Sequence, residues 1–165
     1  MKYILTVLML LFINDSGYAN DITGPALIAD GDSIKIGKHR ITLDGIDAPE
    51  RDQTCELNGS DVECGAYATL FLAKLINEQD VRCEILRKDG RNSSDQRQRK
   101  YGVCFNSEGV NLNALMVSSG AAIAYLYYTD RYKAEQDEAK AEKRGIWAGK
   151  FMEPYEWRKM KRRRD

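Results

Sequence analysis

Residues 29–50 read ADGDSIKIGKHRITLDGIDAPE. Ser33–Ile36 and His39–Leu43 alternate apolar and polar residues, the period of strands with one face on a core. Asp30-Gly31-Asp32 and Gly37-Lys38 supply turn chemistry on either side of the first run. With Ala26–Ala29 ahead of them, these runs predict a three-strand meander. It leads into Gly45-Ile46-Asp47-Ala48-Pro49-Glu50, a proline-stiffened corner carrying two carboxylates.

Downstream, Gly65–Gln79 places Ala68, Phe71, Leu72, Leu75 and Ile76 on one helical stripe. Val81–Leu86 and Tyr101–Phe105 read as a further strand pair, separated by the polar stretch 88–100. Asn111–Ser119 and Tyr132–Arg144 read as helices stopped by Gly120 and Gly145. The order is three strands, a helix, two strands and two helices. It predicts an α+β fold with a mainly β core: a five-stranded antiparallel barrel with about three helices packed outside. Strands and helices do not alternate one for one, which disfavours a doubly wound sheet.

At the N-terminus, Met1-Lys2 precedes the apolar run Tyr3–Ile13 and the small-residue pattern Gly17-Tyr18-Ala19. This predicts a signal peptide over 1–19, because a membrane span needs about 20 apolar residues. The expected domain covers 20–149, and a basic tail covers 150–165. The product is expected to be exported, periplasmic or secreted, a monomer, with no transmembrane span after cleavage. Export makes the four cysteines disulfide candidates, with three connectivities available. Cys55 and Cys64 flank one polar loop, and Cys83 and Cys104 lie on the two paired runs, which predicts the local pairs Cys55–Cys64 and Cys83–Cys104. A four-thiolate zinc site is disfavoured, because no two cysteines have C-x₂₋₄-C spacing.

Lys plus Arg and Asp plus Glu each number 25, so the net charge is zero and any polyanion contact must be a local patch. The one local run is Arg158, Lys159, Lys161, Arg162, Arg163 and Arg164. A single histidine, His39, excludes multi-histidine metal sites and disfavours a Ser-His-Asp triad. The candidate chemistry lies in carboxylates. Asp30, Asp32, Asp47 and Glu50 are costly to cluster without a cation or donors beside them, and oxygen-only ligands suit a hard ion such as Ca²⁺. Tyr125 and Tyr127 share one face if the chain there is extended, a wall for a base or sugar.

ADGDSIKI, ITLDGIDAPE, GAYATLFLAKLI, KYG, GVNLNALMVSSGAAIAYLY and EKRGIW together resemble the thermonuclease family, the staphylococcal-nuclease-like domains. The likeness runs from about Pro25 to Trp147. The cysteine placement and GIWAGKF resemble its exported proteobacterial branch, some of whose members are described as polysaccharide-biosynthesis accessory proteins. The resemblance implies an OB-type barrel and Ca²⁺-dependent hydrolysis of phosphodiester bonds in DNA and RNA. It implies metal ligands at Asp32, Asp47 and the Ala48 carbonyl, with Asp30 beside them, and a general base at Glu50. It implies nucleotide contacts at Lys100, Tyr101, Tyr125 and Tyr127.

Two family positions depart. The phosphate-binding arginine eight residues before the general base is Thr42, and the one after the KYG glycine is Val103. Losing one such donor typically costs about 10²–10³ in rate. Arg40, two residues from Thr42 on one strand face, is the candidate substitute cation, with Arg51, Arg91, Arg97 and Arg99 nearby in sequence. Three readings stand open: an impaired Ca²⁺-dependent nuclease, a non-catalytic nucleic-acid or polyanion binding module, and an envelope or exopolysaccharide accessory protein.

Overall fold

The computed structural model describes residues 21–57, 59–88 and 99–164. The expected signal peptide, Arg91 and Arg97 lie outside the described residues. Among the described residues no helix is long and apolar enough to cross a membrane.

Strands β1 (Asp21–Asp30), β2 (Ser33–Ile36) and β3 (His39–Leu43) form the expected meander. β4 (Ile46–Asp47), β5 (Cys55–Leu57) and β6 (Ser60–Val62) follow, then helix α1 (Cys64–Ile76), β7 (Asp80–Lys88) and β8 (Lys100–Phe105). Helix α2 (Leu112–Ser118), β9 (Ile123–Ala124), α3 (Lys133–Ala141), a 3₁₀ turn (Gly145–Ala148), β10 (Gly149–Lys150) and α4 (Pro154–Arg164) complete the chain. The closed barrel runs β1-β2-β3-β8-β7 and back to β1.

Two expectations need correction. The barrel is mixed: β3 and β8 run parallel, with Thr42 opposite Tyr101, while the other four seams are antiparallel. The reason is parity. Strand direction cannot alternate all the way round a ring of five, so one seam must be parallel. Among the described residues there are also four helices, because the stretch expected as a basic tail carries α4. Pro154 opens that helix, Glu156 lies in its first turn, and its last turn holds Lys161, Arg162, Arg163 and Arg164. Each charge thus sits at the end where the helix dipole favours it.

Ile34, Ile36, Ile41 and Leu43 point from the meander into a core shared with Leu72, Val81, Leu112 and Met116. Ala68, Leu72 and Ile76, four residues apart, are the buried stripe of α1. Both expected disulfides form, Cys55–Cys64 and Cys83–Cys104. Cys83 and Cys104 are register partners across β7 and β8. Cys55–Cys64 ties β5 to the start of α1, inside a second apolar cluster with Ile123 and Ile146.

The parallel seam is pinned from α2. Asn113 is fully buried. Its Oδ1 accepts the Cys104 N–H (3.0 Å), and its Nδ2 donates to the carbonyls of Asp44 (2.9 Å) and Gly102 (3.1 Å). One amide therefore joins α2, β8 and the exit of β3. Asn113→Ala is expected to destabilise the protein by more than about 2 kcal/mol, since an unsatisfied buried polar group costs about 1–3 kcal/mol. A urea melt followed by circular dichroism measures it; an unchanged midpoint would contradict the assignment.

Candidate functional site

The site lies where the meander ends. An open pocket of about 460 Å³ is lined by Asp30, Asp32, Ser33, Thr42, Asp47 and Glu50, with Arg99, Tyr101, Tyr125, Tyr128 and Arg158 across from or beside them. The β1–β2 turn supplies Asp30 and Asp32, and the corner after β4 supplies Glu50. Asp47 itself is in β4 and is paired to Ile123 of β9.

Asp32 is held by backbone and side chain. Its Oδ2 accepts the Ala48 N–H (3.1 Å), and its Oδ1 accepts the Ser33 hydroxyl (3.2 Å). Asp30 Oδ1 accepts the Asp32 N–H (3.2 Å), closing the turn. Burial, with Asp30 and then Asp47 nearby, holds the Asp32 carboxyl well above the usual carboxylate range. Burial also raises Asp47, although hydrogen bonds from Arg158 oppose the shift. Among the described residues no group of three or more His, Cys, Asp or Glu side chains gathers closely enough to be a metal cluster. The feature is a pair of carboxylates lining one pocket, Asp47 buried and Asp32 partly buried.

The Glu50 corner is fixed from behind. Gln53, fully buried, donates its N–H to the Glu50 carbonyl (2.7 Å), while its Oε1 accepts the Glu50 N–H (3.2 Å). Its Nε2 donates to the Met152 carbonyl (2.6 Å), just ahead of α4. Helix α1 begins against this corner. A Cβ added to Gly65 would fall 1.6 Å from the Glu50 carbonyl oxygen, so backbone must meet backbone there.

From the other side comes Arg158 of α4. Its Nη1 donates to Asp47 Oδ1 (2.7 Å) and Glu50 Oε1 (2.8 Å), and its Nη2 donates to Asp47 Oδ2 (3.0 Å). Burial pulls the guanidinium pKa down, but the bonds to Asp47 and Glu50 outweigh it and the net shift is upward. Lys161, one turn on, pairs with Asp52.

Asp30, Asp32, Asp47, Glu50, Tyr101 and Tyr125 thus meet at one pocket. Ala48 is buried behind it. Lys100 does not line it; its neighbour Arg99 does. Tyr127 is 88% exposed and outside the lining, and residues 126–128 form a turn rather than an extended strand. The tyrosine facing the pocket beside Tyr125 is Tyr128, its ring edge-on to Tyr125 at 5.2 Å and its hydroxyl donating to buried Asp44 (3.4 Å). Arg40 lines an adjoining groove with Lys35, Lys38 and Arg99, which meets the pocket at Ser33 and Thr42. Val103 is buried and does not line the pocket. The sequence reading missed Tyr128, Gln53 and the inward place of Arg158. The signal available for Arg158 was the helix start Pro154-Tyr155-Glu156-Trp157 within a run whose charge suggested a solvated surface.

Residues 40–149 match the family model described as staphylococcal nuclease homologue. The chain is 35% identical over 143 residues to the succinoglycan biosynthesis protein ExoI of Rhizobium meliloti (strain 1021), covering 84% of this chain and 71% of that protein. It is 31% identical over 149 residues to an uncharacterized endonuclease of Escherichia coli O157:H7, covering 86% of this chain and 88% of that one. It is 32% identical over 149 residues to a micrococcal nuclease of Shigella flexneri, covering 80% and 77%.

The raised Asp32 carboxyl has a measurable consequence. Its stability cost is absent below the ordinary carboxylate pKa and grows as pH rises through the raised folded value. Asp32→Asn removes that charge and offers Asp30 a donor. In EDTA the variant is expected to melt about 2–4 °C above the wild type at pH 7.5, the shift that roughly 1 kcal/mol gives in a domain of this size. The gap is expected to narrow towards pH 4. A variant less stable at both pH values in calorimetry would contradict this electrostatic reading.

Proposed function

The chain belongs to the staphylococcal nuclease family, and from that premise we propose that it is an exported, Ca²⁺-dependent phosphodiesterase acting on DNA or RNA. The observation that carries the proposal is the meeting of Asp32, Asp47 and Glu50 at one pocket, with Tyr101, Tyr125 and Tyr128 beside them. Export is supported by two disulfides, which persist in oxidising compartments.

The donor set fits Ca²⁺. Asp47 is buried and Asp32 partly buried, desolvation raises both carboxyls, and all candidate ligands are oxygen. Asp32, Asp47 and the Ala48 carbonyl would hold the ion, with Asp30 supporting the Asp32 turn. When bound, Ca²⁺ supplies positive charge that polarises the phosphoryl group.

The protein's own groups do the rest. Glu50, held by Gln53 and α1, takes the proton of the attacking water as its oxygen bonds to phosphorus. The bond from phosphorus to one ester oxygen breaks, and that oxygen leaves with a proton from solvent. Tyr101, Tyr125 and Tyr128 offer ring faces to a base or sugar. Lys100, next to Tyr101, and exposed Tyr127, against Tyr125 with ring centroids 6.2 Å apart, extend this surface. Thr42 lines the pocket without a cation, so turnover is reduced relative to a site with an arginine there. Arg40, along the adjoining groove, and Arg99, which lines both groove and pocket, steer the polyanion rather than fill that place.

A second reading has one observation behind it, the likeness to a protein named for succinoglycan biosynthesis. In it the same groove would hold an acidic polysaccharide, in an accessory role at the envelope. The two are separated by single-stranded DNA cleavage. The wild type is expected to cut in Ca²⁺ and to stop in EGTA, and Glu50→Gln is expected to lose at least about 10²-fold in kcat. Absence of Ca²⁺-dependent cleavage, with retained binding of an acidic polysaccharide, would overturn the nuclease reading.

A further inference from the structure

We infer that Arg158, on helix α4, is a catalytic residue that supplies to the scissile phosphate the guanidinium absent from the barrel wall at Thr42 and Val103. The inference rests on the nuclease reading of the pocket and names a group within it.

Four observations converge. Arg158 lines the same pocket as Thr42, Asp32 and Glu50. Its guanidinium is placed between the metal-side carboxylate Asp47 and the base Glu50, within hydrogen-bond reach of both. Only three of its five N–H donors are used, two on Nη1 and one on Nη2. The Nε–H and the second Nη2–H have no protein acceptor among the described residues. Finally, its backbone is held. Lys161 pairs with Asp52, and Gln53 anchors the carbonyl of Met152 before the helix. A planar fork that keeps its carboxylate bonds and still offers two N–H groups can orient Glu50 and meet a non-bridging phosphate oxygen together.

A guanidinium in this place has two opposite effects. It repels a second cation near Asp47, so it weakens Ca²⁺ binding in the absence of substrate. It also meets negative charge that grows on the phosphoryl oxygens during displacement, so it raises turnover. A residue that only props up α4 would do neither. A residue that only blocks the pocket would do the first and not the second.

The test compares wild type, Arg158→Ala and Arg158→Lys. Ca²⁺ affinity without nucleic acid is measured by calorimetry, binding of a phosphorothioate oligothymidylate by anisotropy, and kcat and KM on single-stranded DNA in saturating Ca²⁺. Arg158→Ala is expected to bind Ca²⁺ more tightly, to bind the oligonucleotide more weakly, and to lose about 10²–10³ in kcat. Arg158→Lys keeps the charge without the fork, and is expected to hold near wild-type Ca²⁺ affinity while staying at least about tenfold down in kcat. Thr42→Arg in the Arg158→Ala background is expected to recover cleavage, which a folding defect would not allow. Faster cleavage by Arg158→Ala would make the residue a blocking latch and overturn the inference, as would unchanged kcat with unchanged Ca²⁺ affinity. A wild type that binds Ca²⁺ but never cuts would instead sink the nuclease reading.

Discussion

Carboxylate charge held at the rim of a small barrel is the constraint around which the rest of this molecule is arranged. Asp47 is buried, Asp32 is partly buried with Asp30 beside it, and Glu50 follows within the same corner. Burying such groups without compensation costs several kcal/mol each. The compensation is visible and local: the Ala48 N–H and Ser33 hydroxyl on Asp32, and the Arg158 fork on Asp47 and Glu50. It is incomplete at Asp32, whose carboxyl remains raised. A carboxylate only partly compensated at the mouth of a pocket is what the proposed cation would complete.

Rigidity of the corner comes from backbone, not from the acidic side chains. Gly65 lets α1 start against the Glu50 carbonyl, and Gln53 closes hydrogen bonds on both backbone groups of Glu50. The Cys55–Cys64 bridge then fixes the loop between the corner and the helix. The same Gln53 reaches Met152, so the corner and the approach to α4 share one buried amide. The positions of Glu50 and of the helix that bears Arg158 are therefore coupled through a residue that carries no charge.

Legibility in the sequence followed the range of the forces involved. The five barrel strands and α1 to α3 were readable because periodicity and turn residues act within a few positions. Both disulfides were readable for the same reason, each closing a local loop. The parallel seam was not, because strand direction round a ring is a global property that no single run encodes. Asp30, Asp32, Asp47, Glu50, Tyr101 and Tyr125 were legible through motif spacing, and the structure gathers them at one pocket. Tyr128 was hidden because a turn after Tyr125 breaks the two-residue alternation on which Tyr127 was chosen. The α4 helix was masked by its own charge: WRKMKRRR has the composition of a solvated surface. Its docking depends on Asp47, Glu50 and Asp52, about a hundred residues earlier in the chain.

Moving a site's cation from a barrel strand to a terminal helix changes what the cation can respond to. An arginine on β3 or β8 would be fixed by the ladder hydrogen bonds of the barrel. Arg158 is instead held by its own ion pairs, by Lys161 with Asp52, and by the Met152 link, and the helix bearing it buries only Pro154 fully. Exposed pairs of that kind are weak and screened by salt. The Arg158 fork is the partly buried one among these ion pairs, and Asp47, one of the two carboxylates it grips, is the one a bound cation would engage in the proposed site. Positive charge added beside Asp47 would therefore oppose a contact that helps seat α4, and negative charge added beside Arg158 would favour it.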